Sequence, residues 1–310
     1  MDGYPVELKG VYRSFGKSEV IRGFDLDLTK NAMTGIIGPT GAGKTTIMRL
    51  VNGAIKPTKG TVRVLGLDPC KKTKAKVSAI HSYPVMDINH SLKVKYYLDL
   101  YGRAYPGFDF SFAAKLLEYF NLDQKAKFGN LSTGQKALMH FIFGLSSRCP
   151  VTMFDEPFNG MDIEMRKLAG KILLNDYMEH PRNIIVASHI LPEIEHLLSE
   201  VIIINKGEKV FYGDMDQVRD MMCEISGNAE ILDAFSGKLP QESIMHRTKS
   251  AMSQSLVIKA SPNSDLAKSA KALGLEASPV TPEDVCIYLT GGKAGDDIYD
   301  LWNNEENGNA

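Results

Sequence analysis

A glycine-rich segment near the N-terminus constrains this chain more than any other feature. It spans residues 38–45, reads GPTGAGKT, and fits the G-x-x-x-x-G-K-[ST] pattern of a phosphate-binding loop. Residues 32–37 form an apolar run before it, and residues 46–51 predict a helix after it. Because the pattern requires this strand–loop–helix context, the segment predicts a nucleotide-binding α/β fold rather than a glycine-rich turn with a chance lysine.

Each residue type in the loop has a physical role. Glycines let the backbone curl so that successive N–H groups point at phosphate oxygens. Lys44 is predicted to reach the β- and γ-phosphates, and the Thr45 hydroxyl to bind Mg²⁺. The sequence therefore predicts ATP and Mg²⁺ as cofactors.

A second glycine-bearing segment, LSTGQ at residues 131–135, opens a predicted helix over residues 132–147. The free N–H groups and positive dipole end of such a helix suit an anion. Because the chain already has a phosphate loop, this second site predicts contact with a γ-phosphate held by another subunit. ATP would then join two copies.

Residues 149–156, CPVTMFDE, predict an apolar strand that ends in two carboxylates. An Asp-Glu pair at a strand end is by itself usually a solvated turn, but beside a phosphate loop it predicts a metal-binding Asp155 and a water-activating Glu156. His189 follows another apolar run, at residues 184–187. A lone histidine there is more often a surface residue, so its predicted contact with the γ-phosphate depends on the other motifs.

In this order, and with NGMD at residues 159–162, the motifs resemble the ATP-binding subunits of ABC transporters over residues 5–215. The resemblance implies that Glu156, His189 and Lys44 are catalytic and that Thr45 and Asp155 hold Mg²⁺. It also implies an upstream aromatic residue that stacks on adenine, Phe15 first and Tyr12 second. The complete nucleotide-binding set is Phe15, Gly38, Pro39, Thr40, Gly41, Ala42, Gly43, Lys44, Thr45, Thr46, Ser132, Thr133, Gly134 and Gln135.

The chain departs from the family pattern at several positions. The family usually carries a glutamine after the strand near residues 77–80, whereas residues 81–87 read HSYPVMD. Thr40 replaces the usual asparagine, and Thr133 the second signature glycine. ATP binding is still expected, but coupling must use groups other than the glutamine. Residues 105–109 and 280–284 resemble bacterial bacitracin-export and Ytr-type ATPases, which implies an exporter of an antimicrobial, peptide or lipid-type substrate.

Composition limits the partners. The net charge is −1 over 310 residues, so no basic surface points to nucleic acid. Four cysteines lack metal-ligand spacing, and neither a signal peptide nor an apolar run of the ~18 residues that span a bilayer is visible. We therefore expect a cytoplasmic protein, peripheral on the inner face of the plasma membrane. Its partners would be a separate integral-membrane permease subunit and a second ATPase subunit, in a homodimer or a heterodimer with a sister chain.

The pattern along the chain predicts a P-loop NTPase core at residues 1–214: a mostly parallel sheet with flanking helices, an antiparallel β edge and an inserted helical subdomain at about 85–148. A small α+β accessory domain at residues 215–292 and a disordered tail at 293–310 follow. Helices are predicted at 92–101 and 112–120, at 265–273, and after an N-cap at Thr281, with a strand at 255–260. The apolar stripe Tyr96, Tyr97, Leu100 and Tyr101 is expected to be core rather than a docking surface.

Two rival interpretations remain open. One is a soluble ABC-type ATPase that acts on a non-membrane partner, such as a cofactor-assembly scaffold, a ribosome or DNA. The chain shows neither the second cassette usual in ribosome-acting relatives nor the coiled coils of DNA-acting ones. The other is a non-enzymatic ATP sensor, which only the missing glutamine favours.

Overall fold

A computed structural model describes residues 3–83, 89–249 and 254–292. Its contacts divide the chain into two compact units, one ending at Tyr212 and the other beginning at Gly213. The strands of the first unit are β1 Val6–Phe15, β2 Ser18–Asp27, β3 Met33–Ile37, β4 Lys59–Val64, β5 Ala79–Ser82, β6 Val151–Asp155, β7 Asn183–Ser188, β8 Glu200–Asn205 and β9 Glu208–Asp214, whose last two residues belong to the second unit. Its helices are α1 Lys44–Val51, α2 Thr73–Lys76, α3 Val94–Ala104, α4 Phe110–Tyr119, α5 Thr133–Ser146 and α6 Ile163–Glu179.

The central sheet has six strands in the order β5-β6-β7-β3-β8-β9. The pairings from β5 to β8 are parallel, and β3, β5, β6 and β7 are buried along their whole length. Such strands are nearly all apolar because helices cover both faces of a parallel sheet. Ile37 pairs with Ser188, and Asp155 with Ala187. This register brings the carboxyl ends of β3, β6 and β7 together, at the edge where α/β sheets bind ligands.

The predicted antiparallel edge is a separate three-stranded sheet with the order β2-β1-β4. Its inward side chains share a hydrophobic core with α1, which directly follows the phosphate loop. The members of this core from the sheet and the helix include Val11, Ile21, Phe24, Ile47, Leu50 and Val62. This three-stranded sheet therefore supports α1, and with it the phosphate loop, from one side.

The helical part between the phosphate loop and α5 contains α3 and α4, and the expected core stripe on α3 is only half correct. Tyr97 and Tyr101 are buried, but Tyr96 is 53% exposed and Leu100 is 56% exposed. Residues four apart share one face of a helix, so the two pairs lie on different faces. The predicted subdomain begins at residues 85–88, which lie outside the described residues.

The second unit contains α7 Met215–Arg219, β10 Cys223–Ser226, α8 Ala229–Ser236, β11 Ile244–Lys249, β12 Gln254–Ile258, α9 Asp265–Ala272, β13 Glu276–Pro279 and α10 Pro282–Leu289. Its sheet is antiparallel, with the order β11-β12-β10-β13. From β10 to β13 the elements follow the β-α-β-β-α-β order of a split βαβ fold. Thr281 caps α10 by accepting a hydrogen bond from the Asp284 N–H. The tail expected at 293–310 lies outside the described residues.

No helix in the described part of the chain combines the length and the apolar character needed to cross a membrane.

Candidate functional site

The phosphate loop joins β3 to α1 and has a backbone that only glycine fits at key positions. Gly41 has a φ of 83°, and Gly43 has a φ of 110°. A Cβ atom on Gly43 would lie 2.7 Å from the Ile21 side chain. Both positions therefore need glycine, because left-handed backbone strains other residues. The result is a backbone cradle that side chains do not fill, which suits phosphate groups.

Lys44 lies in the first turn of α1, only 8% exposed. Its Nζ donates to the Gly38 carbonyl oxygen at 2.6 Å and to that of Pro39 at 3.3 Å. Burial lowers the pKa of Lys44, while the carboxylates of Glu156 and Asp155 oppose that shift. The ammonium group is thus held at the mouth of the loop, where it can bind anionic oxygens.

Thr45 and Asp155 meet beside the loop. The Thr45 hydroxyl donates to Asp155 Oδ2 at 2.6 Å. Burial would raise the pKa of Asp155, but polar contacts with His81 and Thr45 and the charge of Lys44 outweigh it, so the pKa is lowered. A hydroxyl and an ionised carboxylate are hard oxygen donors, the type that Mg²⁺ prefers together with retained waters. The donor set fits this metal.

Glu156 forms the second pair, with His189. His189 Nδ1 lies 2.9 Å from Glu156 Oε1, and the Ser188 hydroxyl donates to Glu156 Oε2 at 3.5 Å. Glu156 has a φ of 51°, and its N–H donates to the Ala187 carbonyl oxygen at 2.9 Å. Non-glycine residues in this left-handed region cluster at functional sites. The contacts with β7 and its end hold the carboxylate at the sheet edge beside the phosphate loop.

The segment at residues 131–135 begins α5 with a reciprocal cap. The Ser132 hydroxyl accepts from the Gln135 N–H at 3.2 Å, and the Gln135 side-chain oxygen accepts from the Ser132 N–H at 3.0 Å. A serine hydroxyl has one donor and two acceptor positions. Because this cap uses an acceptor position, the Ser132 O–H remains able to donate to a phosphate oxygen.

The same segment packs closely on the loop at residues 159–162. A Cβ atom on Gly134 would lie 2.6 Å from the Gly160 carbonyl oxygen, and one on Gly160 would lie 2.9 Å from the Thr133 methyl carbon. Gly160 also has a φ of 82°. Thr133, which replaces the usual glycine of the signature, is therefore accommodated by the missing side chain of Gly160.

Of the two aromatic candidates for adenine stacking, Phe15 is the more accessible. Phe15 is 45% exposed at the end of β1, and the Arg13 guanidinium lies 4.4 Å from its ring centroid. Tyr12 is half-buried, and its hydroxyl would lie 3.0 Å from a Cβ atom on Gly23. The Arg13 side chain lies over one face of the Phe15 ring.

The structure thus brings Lys44, Thr45, Asp155 and Glu156 together and places His189 against Glu156. His81, which was not predicted from the sequence, is buried 3.4 Å from the predicted metal ligand Asp155. A single histidine in an apolar strand matches no motif. The feature that could have identified His81 was its position at the end of β5, the strand that pairs with β6, which ends at Asp155.

Comparison with known proteins gives the family. Residues 21–159 match the family model described as ABC transporter. The chain is 24% identical over 220 residues to the ABC transporter ATP-binding protein YtrB of Bacillus subtilis, covering 71% of this chain and 75% of YtrB. It is 28% identical over 249 residues to the Nod factor export ATP-binding protein I of a Rhizobium species, covering 78% and 80% of the two chains.

Solved structures confirm the predicted fold. The ATP-binding subunit of an ABC transporter superimposes with a TM-score of 0.62 at 21% identity, covering 69% of this chain and 91% of that one. MJ0796, a bacterial ABC transporter cassette solved as a dimer, gives 0.60 at 20% identity, covering 68% and 98%. Both neighbours contain the P-loop NTPase cassette. The chain therefore contains the ATP-binding domain of the ABC transporter family, an ATPase cassette.

Proposed function

We propose that this chain is the Mg-ATP-hydrolysing subunit of a bacterial exporter. It would work as a dimer that binds two ATP molecules and drives a separate integral-membrane permease from the cytoplasmic face. The observation that carries the proposal is the convergence of two pairs, Thr45 with Asp155 and Glu156 with His189, at the edge of the sheet that holds the phosphate loop. Phosphoryl transfer depends mainly on such positioning and charge compensation.

The nucleotide phosphates would occupy the glycine cradle at residues 38–45. Backbone N–H groups and the Lys44 ammonium group would bind their oxygens, in place of the carbonyl contacts that Lys44 makes in this structure. Thr45 and Asp155 would hold Mg²⁺, Asp155 through metal-bound water. When bound, the metal compensates the negative charge that develops on the phosphate oxygens.

Glu156 would accept a proton from the attacking water. His189 would bridge the Glu156 carboxylate and a γ-phosphate oxygen. The contact at 2.9 Å already assigns Nδ1 to Glu156, so Nε2 is the nitrogen for the phosphate.

A second copy would complete each nucleotide site. Ser132 and Gly134 lie at the N-terminus of α5, where an anion is favoured, and the capped Ser132 retains a hydrogen to donate. The partner could be an identical chain or a sister ATPase subunit. Exporter function is supported by the relatives, one of which is a Nod factor export protein.

We expect Phe15→Ala to weaken ATP binding by roughly 1 to 3 kcal/mol, the range for aromatic–base stacking. The substitution removes the ring that adenine would share with Arg13, whereas Phe15→Trp keeps a stacking surface. Isothermal titration calorimetry on the purified chain measures the change. Phe110→Ala is a matched control, because Phe110 is a similarly exposed phenylalanine, 53% against 45%.

Equal ATP affinity in the wild type and Phe15→Ala would remove Phe15 from the site. Weakened binding in Tyr12→Ala but not in Phe15→Ala would assign the stacking role to Tyr12 instead.

The test of the whole proposal is reconstitution in lipid vesicles with the cognate permease, identified by co-purification of this chain from membranes. We expect slow ATP hydrolysis by the purified chain alone, because the usual glutamine link between metal and permease is missing. Turnover should rise when the permease is present. Fast turnover that no membrane partner changes would contradict the exporter proposal and favour an ATPase with a non-membrane partner.

A further inference from the structure

His81 is the polar residue near the nucleotide site that the proposed mechanism leaves without a role. It lies in β5, next to the acidic strand β6, and its side chain is 1% exposed. Its Nε2 is 3.4 Å from Asp155 Oδ2, the oxygen that also accepts the Thr45 hydroxyl hydrogen. Among the described residues, neither ring nitrogen has a partner at full hydrogen-bond geometry. Burying a polar group without a hydrogen-bond partner costs free energy, so the position of His81 needs an explanation.

The two residues that follow His81 are held by side-chain contacts. The next residue, Ser82, donates its hydroxyl to the His140 carbonyl oxygen of α5 at 2.6 Å. The ring of Tyr83 lies 4.8 Å from the His81 ring, between centroids, and the Arg49 guanidinium of α1 is 5.9 Å from the Tyr83 centroid. Three consecutive residues thus contact the acidic strand, α5 and α1. These contacts hold the strand end that carries His81 beside Asp155.

We propose that His81 is a positioning residue for the metal–nucleotide site, which donates from Nε2 to Asp155 and holds the carboxylate in its metal-binding orientation. The inference rests on the proposed function, in which Asp155 binds the metal. With His81 and Thr45 both directed at Oδ2, Oδ1 is the oxygen left for a metal-bound water. A separation of 3.4 Å exceeds that of a well-formed N–H···O hydrogen bond, and contacts of this kind often tighten when substrate binds.

The plain alternative is that His81 is only a buried core histidine. His140 supplies a control within the same chain, because it is also buried and its ring nitrogens also lack hydrogen-bond partners among the described residues. The His140 ring lies among aromatic neighbours, 5.6 Å from Phe128 between centroids, rather than beside Asp155. A role that depends on burial alone would make the two histidines equivalent.

The test measures how ATP affinity depends on Mg²⁺, with a fluorescent ATP analogue titrated in EDTA and at rising Mg²⁺ concentrations. Loss of a group that orients a metal ligand typically costs about 10- to 100-fold in metal affinity. In His81→Leu we therefore expect the Mg²⁺ concentration for half-maximal enhancement to rise by at least ~10-fold. Affinity in EDTA should be unchanged. His140→Leu should behave as wild type in both measurements.

A pair of conservative variants keeps the test valid if His81→Leu does not fold. The His81→Gln amide nitrogen lies about as far along the side chain as Nε2, so this variant should keep the wild-type Mg²⁺ requirement. His81→Asn is shorter and should lose it. Wild-type Mg²⁺ dependence in both His81→Leu and His81→Asn would overturn the proposal.

Asp155→Asn separates this inference from the proposed function. If Asp155→Asn raises the Mg²⁺ requirement but His81→Leu and His81→Asn do not, only the role of His81 is wrong. If Asp155→Asn also has no effect, the metal site itself is wrong, and the inference about His81 falls with it.

Discussion

Glu156→Gln should slow ATP hydrolysis by about 10²- to 10⁴-fold, or about 3 to 5 kcal/mol of activation free energy, while ATP still binds. The amide keeps the size of the side chain and an oxygen that can accept from His189 Nδ1, 2.9 Å away in the wild type. It cannot accept a proton from the attacking water. Phosphate release at saturating Mg-ATP measures the rate.

The same variant should also reveal the ATP-bound dimer. If two copies close around ATP and hydrolysis reopens them, a chain that cannot hydrolyse should stay closed, and size-exclusion chromatography with Mg-ATP should show a shift toward dimer. Glu179→Gln, an exposed position at the end of α6, should change neither the rate nor the elution. A wild-type hydrolysis rate in Glu156→Gln would show that another group is the base.

The nucleotide site could be predicted because its parts impose local demands on the sequence. Gly41 and Gly43 are needed where φ is positive, and Ser132 and Gln135 form a reciprocal helix cap. The contact between Thr45 and Asp155, 110 positions apart, followed from strand order. In a parallel sheet, residues that follow neighbouring strands meet at one edge.

The contact between His81 and Asp155 could not be predicted in this way. The closeness of the two side chains depends on the pairing of β5 with β6, which sets His81 opposite Met153, two residues before Asp155. The one sign in the sequence was that the expected glutamine is absent from residues 81–87. The closeness of Thr133 to Gly160 was hidden for a related reason. Thr133 alone is a small departure from the signature, and only the packing shows that Gly160 leaves room for its methyl group.

Prediction was weakest in the second unit. The strand β12 and the helices α9 and α10 had clear patterns, but β10, β11 and β13 were missed. These strands have four to six residues, and β13 contains Glu276 and Pro279, residue types that disfavour strands. Their pairing is decided by the shared core beneath the sheet, which includes Ile225, Leu256 and Phe235. Non-local packing of this kind leaves little trace in a single sequence.

His140 should make the first unit sensitive to mild acid. It is 2% exposed in α5, and burial lowers its pKa to about 4. In the unfolded chain a histidine titrates near ~6.5. Between these values the unfolded state binds a proton that the folded state does not, so stability falls as the pH falls from about 6.5 toward 4. The shift corresponds to a loss of about 3 kcal/mol of unfolding free energy.

Urea unfolding followed by circular dichroism at several pH values between 7 and 4.5 measures this loss. His140→Phe removes the titrating group and keeps an aromatic ring beside Phe128 and Phe143, its neighbours at 5.6 and 6.4 Å between centroids. Carboxylates that titrate in the same range are common to both proteins, so the difference between the two pH profiles isolates His140. The exposed His196, replaced by glutamine, should leave the profile unchanged. If His140→Phe lost stability with falling pH as steeply as the wild type, the buried imidazole would not be the acid-sensitive group, and paired carboxylates would have to account for the loss.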